Sequence, residues 1–312
     1  DERSNLIPLD NVCPPLPRNL YRRFENGKGQ TWTRGLYLTL STKFVLHPSR
    51  NQNRNKSITK NIYNMSTKIE WTTETWNPVT GCTQLSAGCA NCYAKTIALQ
   101  MQKNGVKKYA NGFAVTMHEY ALNMPRLLHE PSFIFVCSMA DLFHKDVPFE
   151  FIDKVMDVIR STSWHTYQIL TKRAERMAGY FATQAIPANV WLGVTVEVPS
   201  VKYRIECLRN QPASIRFLSC EPLVEDLGEL DLTNIDWVIV GGEHAVNARA
   251  MKEEWVLSIK EQAEKQGALF FFKQWGNIGR DGVYRRVERN GSELQGKTYK
   301  AMPAVSRHTL FG

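Results

Sequence analysis

Three of the seven cysteines in the 312-residue sequence lie within eleven residues, in the stretch GCTQLSAGCANCYA. They are Cys82, Cys89 and Cys92, and their spacing is C-x6-C-x2-C. In a reducing compartment, such a cluster is typical of metal binding or catalysis and not of disulfide bonds. Thiolates are ligands of both structural zinc and iron–sulfur clusters. The spacing therefore predicts a metal centre, with cysteines that bind no metal as the remaining alternative.

The number of cysteines separates the two kinds of metal centre. A structural zinc site has four ligands, usually from two C-x2-C pairs, and this sequence has one such pair. His118 or His144 would have to supply a fourth ligand, and neither has the usual spacing. Three thiolates suit a four-iron, four-sulfur cluster whose fourth iron binds a substrate or cofactor. The iron–sulfur interpretation is therefore favoured over zinc.

The elements that position these cysteines are indicated by short apolar runs that recur along the chain. Near-continuous apolar runs predict strands buried on both faces, and hence a parallel sheet. With TWNPVTG as the first strand, about seven strands are expected, which favours a full or partial parallel (β/α) barrel, an α/β fold. The other runs are FIFVCSMADLF, YQILTKR, VWLGVTVE, IRFLSCEPL, IDWVIVGGE and LFFFKQWG.

Helical patterns lie between several of these predicted strands. FEFIDKVMDVIRS repeats apolar residues at i, i+3, i+4 and i+7 from Ile152. KEEWVLSIKEQAEKQG has acids early, a lysine late and Gly267 as its predicted C-cap. The connection 223–234 is too short for a good helix. The alternation predicts βα units wound in one right-handed direction, with one irregular unit.

Polar side chains follow the predicted strands, at the point where each strand ends. Ligands of such folds lie at the C-terminal ends of the strands. A single polar residue there is equally well a solvated strand end or a helix cap, but the whole set predicts one shared site. The set is Ser138, Asp141, Thr171, Lys172, Thr195, Glu197, Glu221, Glu243, Lys273 and Gln274.

Charge and composition divide the chain near Met65. The net charge is +9, yet residues 1–64 hold 11 Lys and Arg against 4 Asp and Glu, which leaves 28 against 26 in the remainder. Residues 1–64 are predicted to be a basic, mostly disordered extension. The predicted barrel domain then spans 65–303, followed by a tail at 304–312. A near-neutral domain argues against a general nucleic-acid-binding role for it.

The composition also bears on location. No apolar run approaches the roughly 20 residues that a membrane helix needs. The first thirty residues lack the apolar core of a signal peptide. These features predict a cytoplasmic protein that does not engage a membrane.

The motifs resemble those of a phage-associated three-cysteine-motif family of largely unknown function. The resemblance covers about residues 65–303, and that family's domain is similar to a radical S-adenosylmethionine (radical SAM) barrel. Typical radical SAM enzymes have C-x3-C-x2-C, so the first gap is three residues longer in this sequence. The matching runs are WNPVTGCTQLSAGCANCYA, FVCSMADLFHKDVP, ILTKRAERM, NVWLGVTVE, RFLSCEPL, DWVIVGGE and FFFKQWG.

The resemblance implies two cofactors and an activity. Cys82, Cys89 and Cys92 would hold a [4Fe-4S] cluster, and S-adenosylmethionine (SAM) would bind its fourth iron and be cleaved reductively to modify a substrate. The cofactors supply the hard chemistry and the protein supplies placement. The implied partners are an electron donor such as flavodoxin or ferredoxin, an unknown substrate for which the phage setting suggests a nucleotide or nucleic acid, and a co-encoded protein.

The same resemblance gives roles to the polar strand ends. Ser138 and Asp141 would hold the amino group of SAM. Thr195 and Glu197 would contact its ribose or carboxylate, and Gly241 and Gly242 would let the backbone approach adenine or substrate. The predicted substrate-facing and catalytic residues are Lys172, Glu221, Glu243, Lys273 and Gln274.

Two other classes of function remain open at this point. One is a non-enzymatic phage protein, stabilised by zinc or by a cluster, that binds nucleic acid through its basic extension. The other is an electron carrier, although electron carriers usually have four protein ligands to the cluster.

Overall fold

The computed structural model describes residue 65 and residues 67–304. The predicted disorder of residues 1–64 and most of the predicted tail at 304–312 lie outside the described residues. Along the described chain, no helix is long and apolar enough to cross a membrane.

The centre of the fold is a seven-stranded, wholly parallel sheet. Its strand order, β1-β4-β5-β6-β7-β8-β9, follows the chain in one direction, as expected for successive right-handed βα units. β1 and β9 form its two edges, so the sheet does not close. The predicted α/β partial barrel is confirmed. The strands are β1 (Glu74–Trp76), β4 (Phe133–Val136), β5 (Thr166–Thr171), β6 (Val190–Thr195), β7 (Ile215–Cys220), β8 (Trp237–Gly241) and β9 (Leu269–Gln274).

Six α-helices accompany the sheet in the described residues. The two helices predicted from periodicity are confirmed at Phe149–Ser161 and Glu253–Lys265. No helix joins β7 to β8, as the short connection predicted. The helices are α1 (Tyr93–Lys103), α2 (Phe149–Ser161), α3 (Ala174–Phe181), α4 (Tyr203–Arg209), α5 (Glu253–Lys265) and α6 (Val287–Asn290).

Two short, two-stranded antiparallel sheets were not predicted. One pairs β2 (Val79–Thr80) with β3 (Thr116–Met117), directly before and after the region that holds the cysteines. The other pairs β10 (Glu293–Leu294) with β11 (Lys297–Thr298). The predicted first strand TWNPVTG is therefore two strands, β1 in the main sheet and β2 in a two-stranded antiparallel sheet. Two-residue strands give too little periodicity to be recognised in a sequence.

Residues of each strand point alternately to the two faces of the main sheet. Both faces are buried by packed side chains. One face packs against the helices, and its core includes Leu192, Val194 and Ile159. The other face carries an aromatic cluster that includes Trp191, Phe217, Trp237 and Phe271. With both faces filled by packed side chains, the C-terminal edge of the strands is where polar groups collect.

Candidate functional site at the C-terminal edge of the sheet

The cysteine loop, residues 81–92, begins where β2 ends. Gly81 donates its N–H to the carbonyl of Met139, just beyond β4, at 3.0 Å. Its φ is +83°, and a Cβ at this position would lie 2.1 Å from the carbonyl oxygen of Ala114. A residue with a side chain would therefore clash there. This glycine fixes the start of the loop, and hence Cys82, beside the end of β4.

A buried carboxylate holds the middle of the loop. Glu197, just after β6, has no exposed area. Its Oε1 accepts hydrogen bonds from the Ser86 hydroxyl and, at 3.3 Å, from the N–H of Gly88. Its Oε2 accepts from the Arg204 guanidinium of α4 at 3.0 Å, and that side chain is 1% exposed. Because the pair is buried, the loss of either partner would leave an uncompensated charge.

A second buried carboxylate holds the loop from the end of β8. Glu243 accepts from the Asn91 amide at 3.0 Å and from the backbone N–H of Arg249 at 2.8 Å. The Arg249 guanidinium bonds the same carboxylate and also reaches the carbonyl of Ala87 at 3.0 Å. Burial raises the pKa of Glu243, but the bonds from Arg249 and Asn91 outweigh it, so the pKa lies below its ordinary value. Glu243 is thus ionised when it holds the loop.

Two further contacts fix the ends of the loop. Near its start, the Thr83 hydroxyl lies 2.7 Å from His144 Nε2 and accepts from Arg173, which follows β5, at 3.1 Å. Beyond its end, the Tyr93 hydroxyl donates to the Ser138 carbonyl at 2.7 Å. The cysteine loop is therefore tied to the ends of β4, β5, β6 and β8.

The predicted cofactor residues Ser138 and Asp141 form part of this edge. The Ser138 hydroxyl exchanges hydrogen bonds with the Asn77 amide at 3.1 and 3.2 Å. The Asp141 carboxylate accepts from the Thr171 hydroxyl at 2.7 Å and from the N–H groups of Lys172 and Phe143, each at 3.0 Å. Asp141 thus links the end of β4 to the end of β5, and a carboxylate has about four acceptor positions.

Other predicted residues keep polar atoms at the edge. The Lys172 amine is half-buried and has no ion-pair or hydrogen-bond partner in the described part of the chain. Glu221 and Lys273 form an ion pair at 2.5 Å, with side chains 20% and 22% exposed. Thr195 is buried, and its carbonyl accepts from Arg204 at 2.9 Å.

The paired glycines after β8 make room for other parts of the protein. A Cβ on Gly242 would lie 1.9 Å from the carbonyl oxygen of Trp275, and one on Gly241 would lie 3.2 Å from Glu221. The Gln274 amide donates to the Gly242 carbonyl at 3.0 Å. The structure therefore gives both glycines a packing role beside their predicted role near a ligand.

The three clustered thiols have the chemistry of cluster ligands. All three are half-buried and unpaired by disulfides, whereas Cys137 and Cys220 are buried. Burial and then the nearby Asp141 raise the pKa of the Cys82 thiol, while a hydrogen bond from Arg173 lowers it. Burial and Asp141 outweigh Arg173, so the pKa of Cys82 lies above its ordinary value and does not by itself favour a thiolate. Three unpaired thiols at the sheet edge have the donor chemistry that a three-cysteine cluster requires.

The described residues do not provide a fourth protein ligand for zinc. Within residues 65 and 67–304, no group of three or more His, Cys, Asp or Glu side chains is placed to hold a metal ion. His118 Nε2 lies 2.8 Å from the Thr80 hydroxyl, and burial lowers its pKa to about 4. His144 Nδ1 accepts the N–H of Asp146 at 3.1 Å. Both rings are engaged with other groups. The same absence covers Cys82, Cys89 and Cys92: the three thiols, predicted from their spacing to converge on one metal, are not brought together as a metal-holding group in the described residues.

The residues that sequence reasoning missed are the partners of the two carboxylates. Arg204 lay on the apolar face of α4, three and four residues before Cys207 and Leu208, and a charge in that position is a signal of a buried pair. No pattern in the sequence pointed to Ser86, Asn91 or Arg249.

Fold and site together define a parallel α/β partial barrel with a three-cysteine loop fixed across the C-terminal ends of its strands. Residues 66–303 match the family described as "Protein of unknown function (DUF5131)", and the chain belongs to that family. No curated protein matches the sequence.

Among solved structures, the chain is similar to spore photoproduct lyase complexed with dinucleoside spore photoproduct. The identity is 12% and the TM-score 0.39, over 64% of this chain and 63% of that one. A double mutant of that enzyme with bound AdoMet and dinucleoside spore photoproduct gives 11% identity and a TM-score of 0.39 over the same shares. The chain thus spans less than two thirds of the length of these proteins.

Proposed function

We propose that this protein is an enzyme of the radical SAM type, in which Cys82, Cys89 and Cys92 bind a [4Fe-4S] cluster. The main observation behind the proposal is that contacts with the strand ends hold the cysteine loop in place. Three unpaired thiols are held at the ligand-binding edge of a parallel partial barrel by two buried carboxylates, Glu197 and Glu243. A loop that only connected two elements of the fold would not need two buried, charged side chains to hold it, because burying a charge costs free energy.

The number of ligands supports the choice of cofactor. A cluster held by three thiolates, when bound, supplies an open iron for the amino and carboxylate groups of SAM and the electron for its reductive cleavage. We further propose that this electron comes from a small carrier such as flavodoxin or ferredoxin. The protein's own contribution is to bind and orient SAM and to exclude water.

The chain's residues then divide into two groups. Glu197 and Glu243 position the cysteine loop through the contacts described above. Asp141 keeps about one acceptor position free for the SAM amino group, since three of about four are filled.

The substrate side of the proposed site carries two lysines and one glutamate. Lys172 has no partner in the described chain, and Glu221 and Lys273 form a partly exposed pair. A free ammonium and an exposed ion pair at one edge suit a polar substrate with at least one anionic group.

The experiment is anaerobic purification followed by iron, sulfide and zinc analysis. We expect a brown protein with about four irons per chain, in keeping with a cluster of this type. Cys82→Ala, Cys89→Ala and Cys92→Ala should each lose the iron, whereas Cys220→Ala, a buried control cysteine, should keep it. A colourless protein with one stoichiometric zinc that depends on the same cysteines would overturn the proposal.

A further inference from the structure

The charges of the domain are not evenly distributed along the chain. Between Glu74 and Glu119 there is no acidic residue at all, and the same stretch, residues 75–118, contains Lys95, Lys103 and the pair 107–108. The near-neutral net charge of the domain does not reveal this uneven distribution of acidic and basic residues. The acid-free stretch includes the whole cysteine loop and α1.

The four lysines lie on one continuous part of the structure. Lys95 and Lys103 are exposed on α1, eight residues apart and so on one side of the helix. Lys107 and Lys108 follow in the 3-10 turn Lys107–Tyr109. Within the described residues, none of the four has an ion-pair or hydrogen-bond partner for its amine. Lys95, Lys103 and Lys107 are thus exposed, unpaired positive charges, whereas Lys108 is half-buried and burial lowers its pKa.

Three tyrosines lie beside these lysines. Tyr93 is 45% exposed and Tyr120 is 61% exposed. Burial raises the pKa of Tyr109, and the nearby Tyr120 raises it further. The Tyr120 ring packs edge-on against His118 at 5.6 Å.

We propose that this lysine–tyrosine face binds single-stranded nucleic acid. The face consists of Tyr93, Lys95, Lys103, Lys107, Lys108, Tyr109 and Tyr120. Lysines without acidic partners attract a phosphate backbone, and exposed aromatic rings stack with bases whatever the sequence. Proteins that bind single strands combine these two features.

The lysine–tyrosine face lies next to the cysteine loop. Tyr93 directly follows Cys92, so a strand on α1 would run beside the cysteine loop. As a statement about substrate class, this inference rests on the proposed function. As a statement about binding, it stands alone, because it needs neither iron nor SAM.

The test is fluorescence anisotropy of the full-length, metal-free protein with a labelled oligothymidine. Lys95→Ala combined with Lys103→Ala should reduce the slope of log affinity against log salt by about 1.4, and weaken binding about 25-fold at roughly 0.1 M salt. The matched control is Lys265→Ala combined with Lys297→Ala, which removes two exposed, unpaired lysines elsewhere.

Tyr120→Ala tests the stacking component without loss of a charge. With 61% of the residue exposed, its removal should leave the fold intact, and affinity should fall about tenfold. Equal loss of affinity in the double variant and its control would overturn the proposal and assign binding to another basic region, such as residues 1–64. Binding of anionic phosphatidylserine vesicles but not of the oligonucleotide would also overturn it. Iron content does not enter either measurement, so failure here is distinguishable from failure of the proposed function.

Discussion

Replacement of Glu197 by glutamine is the sharpest test of how the cysteine loop is held. The carboxylate accepts hydrogen bonds on two sides, from the loop residues Ser86 and Gly88 and from Arg204. A glutamine amide offers an oxygen to only one of these sides and an NH2 group to the other. Glu197→Gln therefore keeps the shape of the side chain but cannot satisfy both sets of donors.

The expected magnitude follows from burial. Glu197 and Arg204 are 0% and 1% exposed, and loss of one partner of such a buried pair costs about 3–5 kcal/mol. If the two hydrogen bonds to the loop are lost as well, at about 1 kcal/mol each, the free energy of local loop opening falls by about 2 kcal/mol. That corresponds to roughly 30-fold faster labelling of Cys89 when opening is in rapid equilibrium.

Two assays on the metal-free protein separate these effects. Urea unfolding measures the global loss, and alkylation of Cys89, followed by peptide mass spectrometry, measures opening of the loop. Glu206→Gln is the matched control, because its pair with Arg209 is on the surface at 3.2 Å and contributes about 0–1 kcal/mol. If Glu197→Gln costs no more than Glu206→Gln and Cys89 is labelled at the wild-type rate, the reasoning is refuted.

Three other predictions concern thiol reactivity, pH and the start of the loop. Burial first of all raises the pKa values of Cys137 and Cys220 to about 12, so at pH 8 roughly one thiol in ten thousand is ionised. Iodoacetamide labelling of the native, metal-free protein should modify the three loop cysteines and spare these two, and rapid modification of Cys220 would contradict the assigned burial. The pKa of Glu243 lies below its ordinary value of 4.5, so its stabilising contribution is complete above that pH and is lost as the pH falls through the folded-state pKa. The difference in urea stability between wild type and Glu243→Gln should therefore shrink as the pH falls below about 4.5, and a constant difference would count against an ionised anchor. Gly81→Ala places a Cβ 2.1 Å from a carbonyl oxygen at positive φ and should cost more than the roughly 1–2 kcal/mol of a left-handed φ alone, whereas Gly267→Ala, which has the same φ sign but open space around it, should cost less than Gly81→Ala.

The fold was largely predictable because its signals are local. Apolar runs such as VWLGVTVE are buried at every position of β6, and this follows directly from a parallel sheet covered on both faces. The helix Phe149–Ser161 likewise follows from one continuous apolar stripe. Chain order then sets the sheet order, since right-handed βα units place each strand beside the previous one.

The candidate site was predictable in its location but not in its contacts. Glu197 and Glu243 were correctly placed at strand ends. Their partners are distant in sequence: 109 residues separate Gly88 from Glu197, 152 separate Asn91 from Glu243, and 162 separate Ala87 from Arg249. Pairings over such distances depend on how the loop crosses the sheet edge, and no local pattern encodes that path.

The most direct test of the central claim is electron paramagnetic resonance of the dithionite-reduced, reconstituted protein with and without SAM. If three cysteines hold the cluster and one iron is free of protein ligands, added SAM should change the signal, and 5′-deoxyadenosine should accumulate in the same sample. Asp141→Asn should keep the iron but require more SAM for the same change, because one acceptor for the amino group is lost. An unchanged signal with no 5′-deoxyadenosine would contradict the radical SAM assignment and leave a cluster that serves structure or electron transfer.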